Sequence, residues 1–223
     1  MITSCATKKV NVMQHEEPDA IAADTLSNYF LFDYINSLSA EDYQTKLDSI
    51  ESGLSYDFFS LRMAYTHTKD YSPYGSSVSD SLKKITQFID SLNYDSAISM
   101  INKIHEIEYV NIPSHLYLGY IYDQLGDSIK SQFHYMIYDG LLNSIYQSGD
   151  GRTPQTAYIV ISTKEEYQFL NWFSLQFHSQ SLIDKDEYSF DLMSVTDPKT
   201  NEEFEIYFNI ELALSQLWDD FKK

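Results

Sequence analysis

The stretch GDGRTPQTAYIVISTKEEY (residues 149–167) separates two parts of the chain with different patterns. Before it, apolar residues recur at helical spacing. After it, the period falls from 3.6 toward 2, as in strands. Gly149, Asp150 and Gly151 are residues that end helices and form turns, and Ala157 to Ile161 is apolar on both faces, as in a central strand. The stretch therefore predicts an α+β fold with a helical N-terminal part and a C-terminal sheet.

The end of this stretch carries a helix start signal. Thr163-Lys164-Glu165-Glu166 has the spacing of a capping box, in which a hydroxyl and a carboxylate each bind a backbone amide that the helix leaves unpaired. The apolar residues behind it continue at helical spacing. We therefore expect a helix with Thr163 as its N-cap and with the Glu166 carboxylate bonded back to the helix N-terminus.

The remainder of the chain predicts two further strands and a helix. Tyr188 to Val195 and Glu203 to Ile210 have strand patterns, and the second alternates, with Phe204 among the side chains expected to point inward and Asn209 among those expected to point outward. A last helix is predicted from Glu211 to Phe221. Residues 149–223 should thus form a small antiparallel sheet of about three strands with helices, packed on the helical region as one compact body.

Toward the N-terminus, residues 25–148 contain an internal repeat. A shift of 34 residues, the period of tetratricopeptide helix pairs, superposes two segments between Asp80 and Gln147. Small residues fall where two antiparallel helices would cross closely. An ordinary helical bundle is the alternative. The shift places Ile85, Phe88, Asn93, Ala97, Ile101 and Ile104 on Gly119, Tyr122, Asp127, Ser131, Tyr135 and Tyr138.

The first residues contain Cys5, the single cysteine of the chain. Ile2-Thr3-Ser4-Cys5 resembles the lipobox of bacterial lipoproteins, in which an aliphatic residue and two small residues precede the lipidated cysteine. A signal peptide also needs a basic and an apolar segment, so we expect its leader upstream of Met1. Residues 1–24 are then a lipobox-like start and a flexible tether. If Met1 is the true start, the protein is cytoplasmic and Cys5 is incidental.

The composition of the chain limits the kinds of partner that it can bind. The chain has 33 acidic against 15 basic residues, a net charge of −18, and its field repels nucleic acid. No window holds the roughly 18 consecutive apolar residues that a membrane span needs. We expect an unidentified protein or peptide partner, no nucleic acid, and contact with a membrane only through an N-terminal lipid anchor.

Several segments together resemble one protein family. The chain is similar to the family called domain of unknown function 4919 in the following segments: Arg62-Met63-Ala64-Tyr65, Tyr71-Ser72-Pro73-Tyr74-Gly75, residues 149–167, Gln180-Ser181-Leu182, YSFDLMSV (residues 188–195) and Ile206-Tyr207-Phe208. The resemblance covers roughly Thr25 to Leu217. It implies a predicted lipoprotein or secreted protein of the bacterial cell envelope, and it implies no activity.

Known catalytic patterns are missing from the sequence. His105-Glu106-Ile107-Glu108-Tyr109 begins like a zinc protease helix, but Tyr109 stands where the second histidine belongs. There is no nucleophile elbow, phosphate loop or dinucleotide fingerprint. The six histidines have no ligand spacing along the chain. We expect no metal and no cofactor, and no catalytic residue is assigned.

A few residues are nevertheless candidates for function. Tyr71, Tyr74, Asp150 and Arg152 form a possible binding surface, since tyrosines stack on ligands and a glycine-flanked turn with arginine attracts anions. Both turns also have purely structural explanations. Arg62 is expected to be a structural organiser, because it lies in an apolar helix and a guanidinium forms several planar hydrogen bonds.

Two functional hypotheses follow. The first is a non-catalytic envelope lipoprotein whose helical repeats hold a protein or peptide in a tyrosine-lined groove. The second is a hydrolase of envelope polymers that uses Asp150 with Glu165 or Glu166 as paired carboxylates. A cleft with two close carboxyl groups would favour the enzyme, and an open aromatic groove would favour binding.

Overall fold

The computed structural model of the chain describes residues 28–75 and 77–221. Cys5 and the predicted tether of residues 1–24 lie outside them. Within the described ranges, no helix has both the length and the apolar character that crossing a bilayer requires. The helices are α1 (Asn28–Ser37), α2 (Ala40–Glu51), α3 (Phe58–Tyr65), α4 (Ser77–Asp90), α5 (Tyr94–His105), α6 (Ile112–Gln124), α7 (Ser128–Tyr146), α8 (Thr163–Trp172) and α9 (Glu211–Phe221). The strands are β1 (Tyr158–Ile159), β2 (Gln176–Lys185), β3 (Tyr188–Asp197) and β4 (Glu202–Asn209).

Helices α4 to α7 form two consecutive antiparallel hairpins, α4 with α5 and α6 with α7. Ala97 and Ser131 are both buried, as the predicted repeat requires. Gly119 lies directly under the ring of Tyr135, where an added Cβ would come within 2.7 Å of a ring carbon. Only a residue without a side chain fits that approach. The N-terminal part is therefore helical, with tetratricopeptide-like helix pairs.

The turns of the two hairpins share the same backbone features at the predicted spacing of 34 residues. Leu92 and Gly126 both have positive φ, 59° and 77°. Asn93 and Asp127 follow them as N-caps of α5 and α7. The backbone bond from Asn93 to Phe88 O, 2.8 Å, recurs from Asp127 to Tyr122 O, 2.9 Å. The sequence register thus extends to the backbone conformation.

The sheet has four strands among the described residues, in the order β1-β4-β3-β2, and not about three. The missed strand is β2, which pairs antiparallel with β3 at one edge. The predicted central strand at Ala157 to Ile161 is β1, only two residues long, and it lies at the other edge, parallel to β4. Burial on both faces comes from covering helices, not from a central position in the sheet. The sheet is therefore mixed.

The inward pattern expected for the last strand fails at one end. Phe204 is 37% exposed, while Asn209, expected outside, is 1% exposed. Asn209 caps the turn into α9, because its Oδ1 accepts a bond from Glu211 N at 3.0 Å. The capping role holds Asn209 inside, while the first half of β4, which includes Phe204, is exposed. Helix α9 has the predicted bounds.

One hydrophobic core connects the helical part to the sheet. It contains buried side chains of α3, α7, β1, β3 and β4. A second, smaller core fills the space between α4, α5 and α6. Helix α8 contacts both α6 and α7, and so connects the C-terminal unit to the second helical hairpin. The candidate site lies around the first turn of this helix.

Candidate functional site

Arg62 of α3 is fully buried, and each nitrogen of its guanidinium donates a hydrogen bond. Nε binds Glu165 Oε1 at 2.8 Å, Nη1 binds Ser144 Oγ at 3.1 Å, and Nη2 binds both Glu165 Oε2 and the carbonyl of Ile159, the latter at 3.0 Å. The pair with Glu165 is bidentate, the strongest geometry for an arginine and a carboxylate. Arg62 thus joins α3 to α7, β1 and α8.

The segment between β1 and α8 is fixed by the same network. Glu165 Oε2 also accepts the backbone N–H of Ile161 at 2.9 Å. The hydroxyl of Tyr71 donates to the carbonyl of Ile161 at 2.7 Å, and burial raises the pKa of this hydroxyl well above its usual value. Tyr71 is therefore a buried structural residue. Tyr71 also lines the cleft beside the Arg62–Glu165 pair, so its prediction as part of a binding surface stays a prediction.

A cleft of about 190 Å³ opens beside the Arg62–Glu165 pair. Its walls come from the turn at residues 71–75, helix α4, the α5–α6 connection with the start of α6, and the first turn of α8. Apolar side chains of Leu82, Val110 and Ile112 alternate there with polar groups. The cleft therefore lies where the helical hairpins meet the C-terminal unit.

Two oppositely charged side chains reach the cleft from different elements. Glu108, in the α5–α6 connection, accepts one hydrogen bond, from Asn111 Nδ2 to Oε1 at 3.0 Å. Burial raises its pKa, and the neighbouring Lys164 opposes that shift. Lys164 Nζ uses one of its three donors on the carbonyl of Gly75 at 3.0 Å. The two groups form no ion pair with each other among the described salt bridges.

Glu166 faces away from the cleft, toward the sheet. It is fully buried, and neither of its carboxyl oxygens has a hydrogen-bond partner in residues 28–75 and 77–221. The predicted capping box is therefore wrong, since Ser162 is the N-cap and Glu166 does not bind the helix N-terminus. Burial and the neighbouring Asp191 carboxyl raise the pKa of Glu166 to about 10, so it carries its proton at neutral pH.

Exposed side chains lie over this carboxyl pair. Gln180 of β2 donates to Asp191 Oδ2 at 2.6 Å and accepts from the hydroxyl of Tyr167 at 3.0 Å. Tyr74 lies near the same carboxyls, and its pKa is raised by burial and by the neighbouring Asp191 carboxyl. It is 42% exposed and so remains a candidate for binding. Residues 62–65, 71–75, 180–182 and 188–195, which carry part of the family resemblance, all meet the start of α8, which belongs to residues 149–167 of the same resemblance.

Asp150 and Arg152, the other two predicted surface residues, lie in the turn before β1. Asp150 Oδ1 accepts bonds from Arg152 N at 3.0 Å and from Thr156 Oγ1 at 2.5 Å. This network shapes the turn. Neither Glu165 nor Glu166 makes a described contact with Asp150, so the structure does not assemble the predicted carboxylate pair. Asp191 is the carboxyl that lies beside Glu166, and no sequence motif marks it.

A cluster of three histidines was also missed, because the residues converge from three helices. The rings of His105 and His115 stack with centroids 4.4 Å apart, and His115 Nδ1 lies 3.2 Å from His134 Nδ1. His115 Nε2 donates to the carbonyl of Tyr109, so its Nδ1 accepts from His134. Burial lowers the pKa of His105 to about 3 and that of His134 to about 4. The three rings are neutral packing groups.

The chain belongs to the family described as Domain of unknown function (DUF4919), whose model matches residues 42–218. The resemblance inferred from the motifs is confirmed, with a start at residue 42 instead of 25. No curated protein and no solved structure matches the chain.

Proposed function

We propose that this member of the family is a non-catalytic binding module of the bacterial cell envelope, and that the cleft beside α8 holds a polypeptide partner. The observation that supports this is the composition of the cleft wall. Apolar side chains there surround a carboxyl group and an ammonium group that are not paired with each other. Pockets that bind ligands combine apolar walls with a few polar groups in this way.

The position of the cleft also supports binding. It lies next to α4 and α6, the first helices of the two hairpins, which come together along one side of the repeat. Stacked helix pairs create extended surfaces of this kind for partners. The rigid Arg62–Glu165 pair fixes one wall, so little conformational entropy is lost when a ligand binds.

The envelope location is proposed from the sequence alone. Ile2-Thr3-Ser4 before Cys5 supports lipid attachment at that cysteine. In the full-length product isolated from membranes, mass spectrometry of the mature N-terminus should find an acylated Cys5. An unmodified Met1 on a soluble protein would contradict this part of the proposal.

Hydrolysis of envelope polymers is the second candidate, and Glu166 with Asp191 is the observation that favours it. One carboxyl is protonated at neutral pH and a second lies beside it, as acid and base catalysts require. A catalytic acid must also touch the substrate. The oxygens of Glu166 have no solvent access, and Asp191 is only 4% exposed. Because both groups are buried, we propose binding in preference to hydrolysis.

A peptide library tests the binding proposal. Random peptides from dipeptides to heptapeptides, all with free termini, should be enriched on the full chain, and the enrichment should be lost in Ser79→Trp, which fills the cleft from α4. Ile129→Trp is the matched control, because Ile129 is 81% exposed on α7 and away from the cleft wall. Circular dichroism and the Tm should show that both variants are folded.

The results separate the hypotheses. Loss of binding only in Ser79→Trp supports the cleft. Equal enrichment on both variants, or no enrichment on the unmodified chain, contradicts it. Hydrolysis of an envelope glycan that disappears in Asp191→Asn but persists in Ser79→Trp would establish the second candidate instead.

A further inference from the structure

We infer that the cleft takes a short free peptide, about a dipeptide in size, with its terminal ammonium at Glu108 and its terminal carboxylate at Lys164. This inference rests on the proposed function and specifies the class of ligand. It follows from the volume of the cleft, from the two opposite charges in its wall and from the open N-terminus of α8.

The volume sets the size of the ligand. A cleft of about 190 Å³ holds roughly six times the volume of one water molecule, and it is smaller than the roughly 300–1,000 Å³ of pockets for drug-sized ligands. One or two amino-acid residues fill such a space. A longer segment would have to leave the cleft at its open side.

The charges set the chemistry of the ligand. Glu165 lines the cleft too, but its charge is neutralised by the bidentate bond with Arg62. Glu108 and Lys164 remain as one carboxyl group and one ammonium group without an ion-pair partner among the described residues. Burial disfavours the charged form of Glu108, so a cationic ligand group beside it gains more than it would in water. A ligand with one charge would satisfy only one of the two groups.

The start of α8 supplies further donors for a carboxylate. Ser162 is the N-cap, and its hydroxyl makes no capping hydrogen bond. Amide N–H groups at the first turn of a helix favour an anion through hydrogen bonds and the helix dipole. Lys164 belongs to this turn and lines the cleft. Ser162 and Lys164 both line the cleft, so the first turn of α8 forms part of the wall that would receive the carboxylate.

The remaining walls suit the body of a small peptide. Tyr65, Leu82, Val110 and Ile112 offer apolar surface between the charged groups. Short side chains such as those of alanine would pack there without a further polar partner. Alanyl-alanine is therefore the simplest probe of the site.

Calorimetric titration of the full chain with alanyl-alanine tests the inference. The free dipeptide should bind, and its N-acetyl and C-amide forms should each bind about tenfold more weakly or worse, because each loses one charged contact. Glu108→Gln should weaken the free dipeptide by a similar factor but leave the affinity of the N-acetyl form unchanged. Lys164→Met should act in the same way on the C-amide form.

Exposed neighbours provide the controls. Glu106→Gln removes a carboxylate and Lys103→Met removes an ammonium group, as the test variants do, but at exposed positions outside the cleft wall. Both control variants should leave the affinity unchanged. Capped and free dipeptides that bind equally well would overturn the inference, as would heptapeptide binding to the cleft without dipeptide binding. In both cases the proposed function would stand. Failure of dipeptides and of longer peptides alike would overturn both.

Discussion

At the residue scale, the contacts of Arg62 explain why one of the two arginines of the chain lies inside. Its bonds reach three separate segments, and lysine cannot reproduce the planar fork. Arg62→Lys should therefore lower the free energy of unfolding by about 2–4 kcal/mol, measured by urea denaturation. Arg152→Lys, at the exposed second arginine, is the control and should change stability little. Equal stability of the two variants would show that Arg62 organises nothing.

Glu166 makes the free energy of unfolding depend on pH, and the sign of that dependence follows from its raised pKa. Its pKa is about 10 in the folded chain and near its usual 4.5 when unfolded, so the folded state binds the proton more tightly. Its contribution to stability is therefore complete below pH 4.5 and is lost as the pH rises toward 10. Glu166→Gln removes this loss, since the amide stays neutral.

The measurement is urea denaturation of both proteins at pH 6 and pH 9. The stability of Glu166→Gln relative to the unmodified chain should increase with pH, by at most about 1.4 kcal/mol per pH unit. Glu203→Gln, at an exposed carboxyl of β4, should show no such trend. A relative stability that stays constant would mean that Glu166 is ionised at neutral pH.

At the element scale, the crossing of α4 and α5 depends on Ala97. A larger side chain there has no space, because Ala97 is fully buried. Ala97→Leu should destabilise the protein by about 1–3 kcal/mol through overpacking, observed as a lower Tm. Ser99→Leu adds a similar side chain on the exposed face of the same helix and should have little effect. A stable Ala97→Leu variant would contradict the repeat register.

The elements that sequence predicted are those with strong periodicity. The hairpin repeat follows from apolar spacing and from turn residues that recur after 34 positions, and α9 follows from its amphipathic pattern. Strand β2 was missed because its residues are almost all exposed, so it has no alternation to detect. Its turn into β3 gave no signal either. Asp186 and Glu187 both adopt positive φ there, without the Asn-Gly pair that marks such turns.

Some features of the candidate site could be predicted from the sequence, and others could not. The buried position of Arg62 could be predicted from the apolar helix around it. The meeting of Glu166 with Asp191 could not, because it depends on how α8 packs against β3. Local capping rules assigned Glu166 to the helix N-terminus, and tertiary packing overrode them. The histidine cluster was missed for the same reason.

At the scale of the whole molecule, the cleft exists only because two parts of the chain pack together. Glu108 belongs to the helical part and Lys164 to the C-terminal unit, and the Arg62–Glu165 pair holds the two parts in place beside them. The net charge of −18 favours approach of partners with basic character. We therefore expect a peptide to bind where the two parts meet.

Site-specific photo-crosslinking in the native host tests that claim most directly. A photoreactive phenylalanine analogue replaces Ser72, an exposed residue at the edge of the cleft, and the same analogue at Ile129 on the exposed face of α7 is the control. We expect a peptide adduct at position 72 that is absent at position 129 and is lost when Glu108→Gln and Lys164→Met are added. Adducts of equal yield at both positions, or none at position 72, would contradict binding in the cleft.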